Sequence, residues 1–106
     1  MNPSDYCIVS TTTDSKENAE AISQALLQKK LIACVQSSTI DSSYKWQGKI
    51  ICSKEIRLQM KTKKSLFTQI TDELEALHTY DVPEIIMVPL LDANDFYLKW
   101  IDAETL

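Results

Sequence analysis

Glycine is almost missing from this 106-residue chain: it occurs once, as Gly48, and proline occurs only three times. Pro/Gly-rich linkers and low-complexity tracts are thereby excluded, and the single residue without a Cβ marks a place where the backbone needs unusual freedom. Histidine is equally scarce, with His78 standing alone. HExxH and His-x-His pairs cannot occur, and any Ser–His or Cys–His catalytic pair would have to use this one ring. No CxxC, acidic calcium loop, glycine-rich phosphate loop or nucleophile elbow is present. A conventional hydrolase or kinase is excluded, and the expectation is a protein that is not an enzyme.

Other absences bear on compartment and partners. No apolar run approaches the roughly 20 residues of a membrane span. The start, Met1-Asn2-Pro3-Ser4-Asp5, has no basic segment before an apolar run that stops at Ser10, so it does not read as a signal peptide, and a cytoplasmic location is expected. Cys7, Cys34 and Cys52 are odd in number and widely spaced, which predicts free thiols and no disulfide. An excess of positive charge is lacking too: the formal net charge is -4, which repels a phosphate backbone and makes nucleic acid an unexpected partner.

What is present suits one globular domain over residues 1–106. Hydrophobic residues make up 44% and charged residues 25%, close to the globular average. Tyr6 to Thr12 reads as a strand, and Asp14-x-x-Glu17 as the capping box of a helix that runs to about Lys30 with Ala19, Ile22 and Leu26 on one face. Ile32 to about Tyr44 begins as a strand and turns polar, so a bend is expected in its far half. Ile50 to Met60 alternates, with Ile50, Cys52, Ile56, Leu58 and Met60 opposite Ser53, Glu55, Arg57 and Gln59. Trp46 to Lys49, containing Gly48, is the turn between these two strands.

Thr62 or Ser65 can cap a second helix with an apolar stripe of Leu66, Phe67, Ile70, Leu74 and Leu77, ending near His78. Glu84 to Leu91 is apolar on both faces up to Pro89 and reads as a buried strand. Asp92 can cap a short last helix carrying Phe96, Tyr97, Trp100 and Ile101. The order is α+β, a ferredoxin-like β-α-β-β-α-β with a long central hairpin and a short C-terminal helix. From Lys49 to Lys61 the hairpin strand spans roughly 40 Å, about twice the usual length. Such an overhang is an aggregation hazard unless copies of the chain pair with it, so a closed homo-oligomer is expected.

Five blocks, Ala33-Cys34-Val35, Ser43-Tyr44-x-Trp46-x-Gly48-Lys49-Ile50, Lys61-Thr62, His78-x-Tyr80-x-x-Pro83-Glu84-Ile85 and Tyr97-Leu98-x-Trp100-Ile101, resemble in order and spacing the CutA family of divalent-cation-tolerance proteins. The resemblance spans nearly the whole chain. It implies a cytosolic homotrimer, PII-like in architecture, connected with tolerance of copper and other divalent metals, with no defining enzymatic activity and no obligatory cofactor. Ser10 stands where bacterial members commonly carry a cysteine, so a metal role of that thiol does not transfer. His78-Thr79-Tyr80 replaces a His-Pro-Tyr found in many members.

Candidate sites follow. Packing is the first reading of each cysteine in a strand; metal binding gains weight only if a three-fold axis gathers identical groups, and Cys34 and His78 are then the candidates for copper or another divalent cation. His78 has a structural alternative at the end of a helix. Tyr44 and Trp46 beside the turn fit an interface. With Lys61, Tyr80, Glu84, Tyr97 and Trp100 they are candidates to line a cleft between subunits that takes a small anionic ligand, the arrangement of a PII-like sensor or adaptor.

Overall fold

The computed structural model describes residues 2–106. The elements are β1 (Tyr6–Thr13), α1 (Lys16–Gln28), β2 (Cys34–Trp46), β3 (Lys49–Lys63), α2 (Phe67–Leu77), β4 (Ile86–Pro89) and α3 (Asp95–Glu104), with single 3-10 turns at Pro3–Asp5 and Lys64–Leu66. The strands form one antiparallel sheet in the order β2-β3-β1-β4, which is the expected α+β, split βαβ arrangement. Apolar alternation sets the layers. Cys7 and Val9 of β1 and Leu58 and Met60 of β3 turn to one side and pack with Ile22 and Leu26 of α1 and Ile70 and Leu74 of α2, all buried. The opposite face is covered at one end, where Tyr6 packs against Leu98 and Ile101 of α3.

Several element ends differ from the sequence expectation for local reasons. Ser15, not Asp14, caps α1 by accepting from the Asn18 N–H; Asn18 in turn donates to the Leu77 carbonyl at the end of α2 at 2.9 Å. Thr62 is no helix cap, because its hydroxyl donates to the Leu31 carbonyl from within β3. The Lys64–Leu66 turn intervenes, and Leu66 occupies the cap position of α2 without a side-chain bond. Asn94 takes the cap position of α3 in place of Asp92. β4 is half the expected length, bracketed by Pro83 and Pro89. No bend interrupts β2, since every residue from Cys34 to Trp46 is paired with β3.

The helix α1 ends in a Schellman motif. Leu31 N–H donates to the Leu26 carbonyl and Lys30 N–H to that of Leu27, both within 3.1 Å, and Lys30 takes φ of +59°. A lysine thus holds a left-handed position that glycine ordinarily fills. Lys30→Gly is expected to raise stability by up to about 1 kcal/mol, read as an increased denaturant midpoint at constant slope.

The hairpin strands are the longest elements. β1 supports β3 only as far as Thr13↔Ile56. Beyond that point Ile40–Trp46 pairs only with Lys49–Glu55, an arm of roughly 23 Å at strand rise. Gln47 and Gly48 close it at φ +50° and +77°, the two positive values of a type I′ turn. The arm stretches the molecule to 45 × 26 × 22 Å with a radius of gyration of 14.4 Å, against about 13 Å for a compact chain of this length.

Candidate functional site

At the base of the arm, the open sheet face and the segment after α2 enclose a cleft of about 640 Å³. Alternation dictates its floor. Ile40, Ser42 and Tyr44 of β2, Glu55 and Arg57 of β3 and Thr12 of β1 share the side away from the helices, and all line the cleft with Trp46 at the arm's end. Thr79, Tyr80, Asp81, Val82 and Glu84 form the facing wall.

His78 fixes that wall. Its N–H closes α2 onto the Leu74 carbonyl at 2.8 Å, and its ring then turns to β1 instead of back to the helix carbonyls. The Tyr80 N–H donates to Nδ1 at 3.1 Å, which leaves the ring proton on Nε2 to be donated to the Thr12 carbonyl at 2.9 Å, with the Thr11 hydroxyl at 3.3 Å. The imidazole is therefore a neutral clip between the end of α2 and the central strand. Held this way, Tyr80 stacks beside the ring at 4.9 Å between centroids and donates its hydroxyl to Glu55 Oε2 at 2.7 Å. Burial, then this carboxylate, push the Tyr80 phenol well above its usual range.

Glu55 is the functional candidate that the sequence reading missed. It belongs to the polar face of its strand by alternation, yet it is only 7% exposed, because the Tyr80 wall closes over it. Its only local signal was its position on the outward face of the strand where β3 leaves its β1 partner.

The residues expected to line one cleft fall into two groups within a chain. Tyr44, Trp46, Tyr80 and Glu84 come together as described. Lys61, Tyr97 and Trp100 do not join them. Lys61 lies further along β3, opposite Cys34, and donates to Gln36. Tyr97 and Trp100 pack against each other on α3 at 5.5 Å. Cys34 is half-buried beside Tyr97, whose hydroxyl pKa rises through burial and then through this thiol. The two groups are separated because Cys34 and Lys61 align with Ile8 of β1 whereas the cleft aligns with Thr12, about 13 Å further along the strand.

The same geometry bears on the metal candidates. Both ring nitrogens of His78 are engaged within the chain, and Cys34 lies in the other group. Among the described residues no three His, Cys, Asp or Glu side chains converge as a metal site. The residues of a single chain therefore do not fit a chelated ion. Cys7 is buried, and burial pushes its thiol up to about 11.

Comparison with known proteins adds the lineage. Residues 7–104 match the family "CutA1 divalent ion tolerance protein". This chain belongs to the CutA family. It is 40% identical over 98 residues to the divalent-cation tolerance protein CutA of Pyrococcus horikoshii, covering 92% of this chain and 96% of that protein. The human protein CutA is 36% identical over 89% of this chain, which spans 54% of the human protein's length. The crystal structure of CutA1 from Oryza sativa superposes with a TM-score of 0.93 at 34% identity, covering 100% of this chain and 98% of that one. No helix among the described residues is long and apolar enough to cross a membrane. Named compartments differ among CutA relatives: the Arabidopsis thaliana protein is called chloroplastic and the Archaeoglobus fulgidus one periplasmic.

Alkali tests the Tyr80 arrangement. Tyr80 and Tyr97 keep their protons in the folded chain at pH values where an unfolded chain loses them. Each therefore stabilises the fold fully below about pH 10 and loses that contribution as pH rises toward the higher native value. Tyrosinate absorbance is expected to lag that of the unfolded chain above roughly pH 10. Tyr80→Phe should remove the most retarded step.

Proposed function

We propose that this CutA family chain works as a cytoplasmic homotrimer in divalent-cation tolerance, without catalytic activity or an obligatory cofactor. The protruding arm carries the reading. Its outer edges lack sheet partners among the described residues, and Ile50 at its end, like Ile86 and Val88 on the uncovered sheet face, is an exposed apolar side chain. A long bare edge beside apolar surface calls for another chain, and closed rotation satisfies it without growth into a filament. The CutA names of its relatives support the tolerance role.

Direct metal binding falls to Cys34 repeated by symmetry, because the one in-plane lone pair of His78, on Nδ1, accepts from the Tyr80 N–H while Nε2 carries the proton given to Thr12. Copper titration of the oligomer is expected to reach about one ion per three chains through thiolates related by the axis. That binding should vanish in Cys34→Ser and persist in His78→Ala. Unchanged binding in both variants removes the direct form, leaving metal tolerance as an indirect effect.

A second reading, a PII-like sensor or adaptor, is favoured by the cleft itself. Its volume of about 640 Å³ falls in the range of small-molecule sites. The anionic ligand expected from sequence suits it less well, since Glu55, Asp81 and Glu84 face a single cation, Arg57.

A further inference from the structure

Glu55 presents an imbalance that the cleft itself resolves. The residue is 7% exposed, its Oε2 accepts from Tyr80 at 2.7 Å, and it takes part in none of the ion pairs among the described residues. Oε1 accepts no hydrogen bond from them, and Glu55 lines the cleft. A largely buried carboxylate in this condition favours a cation beside it. Three further features define which cation. Asp81 and Glu84 lie at the same cleft, so its carboxylates outnumber the guanidinium of Arg57. Tyr44, Trp46 and Tyr80 supply aromatic surface, and ring faces attract ammonium groups. A bare metal ion is disfavoured because no three acidic, Cys or His side chains converge among the described residues.

We propose that the cleft binds an organic ammonium ion, its charge against Glu55 and its apolar body against Tyr44, Trp46 and Tyr80. This rests on the sensor reading of the cleft and on the arm keeping it open in the assembled protein. Tyr80, clipped by His78, positions the carboxylate through its hydroxyl. Arg57 sets a limit on the ligand, disfavouring a second positive charge at that end.

Phenethylammonium and its neutral counterpart 2-phenylethanol test the charge requirement by calorimetry on the full chain at low salt. Trp46 fluorescence in a Trp100→Phe background supplies a local signal. Saturable binding of phenethylammonium is expected, with the alcohol at least about tenfold weaker and added salt reducing the difference. Glu55→Gln keeps an acceptor for Tyr80 and should lose about tenfold in affinity for the amine while leaving the alcohol unchanged. Should Glu55→Gln fail to fold, Trp46→Leu is expected to weaken the amine and the alcohol alike in calorimetry, because that ring contacts the apolar body the two share. Equal binding of amine and alcohol, or amine binding unaffected by the substitution that folds, overturns the proposal. So does absence of saturable binding to a protein whose solution mass is trimeric, an outcome that leaves the oligomer reading intact. A monomeric mass defeats the oligomer reading alone, because every residue of the cleft comes from one chain.

Discussion

Ile86→Asp combined with Val88→Asp is expected to convert the assembled protein into folded monomers. Both side chains are about half exposed on the uncovered sheet face, at 50% and 53%, and they align with Ser10 and Ile8 of β1. Completing the burial of two such side chains contributes on the order of 1 kcal/mol each, and an unpaired carboxylate in their place costs a few kcal/mol more. In the proposed trimer the three-fold axis would repeat the loss at every interface, so the total would reach the order of 10 kcal/mol per trimer. Sedimentation at micromolar concentration should show the change of mass while circular dichroism retains its native shape. A control aspartate at exposed Thr68 on α2 should leave the trimer unchanged. A double variant that remains trimeric would place the interface elsewhere.

His78→Ala carries the second large effect. The substitution removes the bond to the Thr12 carbonyl and leaves the Tyr80 N–H without its acceptor. Both groups are partly buried, and losing such bonds costs roughly 1–3 kcal/mol each, so destabilisation of about 3 kcal/mol is expected in denaturant unfolding. The loss should also release Tyr80 from Glu55, seen as an earlier rise of tyrosinate absorbance in alkali. His78→Gln, with an amide able to donate to the carbonyl, should recover part of the stability. A histidine acting only at an exposed helix end would give a change well under 1 kcal/mol.

The main legible feature was periodicity. Two-residue alternation in β3 and the three- and four-residue stripes of α1 and α2 placed the elements, because the pattern and the burial have the same geometric cause. Ends were less legible, since caps compete over one or two residues. Ser15 and Asp14 are both acceptable acceptors, and the choice of Ser15 follows from where Asn18 must reach to meet Leu77. The polar run Ser37 to Ser43 looked like a bend because its side chains have no core to enter. Backbone pairing in a ribbon does not require one.

The candidate site was half legible. Aromatic residues near the turn and the segment from His78 to Glu84 stood out by type, and four of them do meet in the cleft. Lys61, Tyr97 and Trp100 lie about 13 Å away along the sheet of one chain, a distance no sequence measures, and the cleft expected between subunits draws on more than one chain. Glu55 escaped notice because a charged residue at an outward strand position is ordinarily solvated. Its burial depends on Tyr80, 25 residues away, being held over it.

By itself the sequence determined the split βαβ order, the overlong hairpin with its turn at Gly48 and, through its five blocks, the CutA kinship. These are consequences of local spacing, steric freedom at one glycine and chain order. Only the tertiary structure decided that His78 clips β1 with both nitrogens occupied, that Cys34 lies apart from it, and that Glu55 sits enclosed within a cleft. The physical reason is that hydrogen-bond occupancy and desolvation depend on neighbours brought from distant parts of the chain, whereas periodicity needs only the residues next in line.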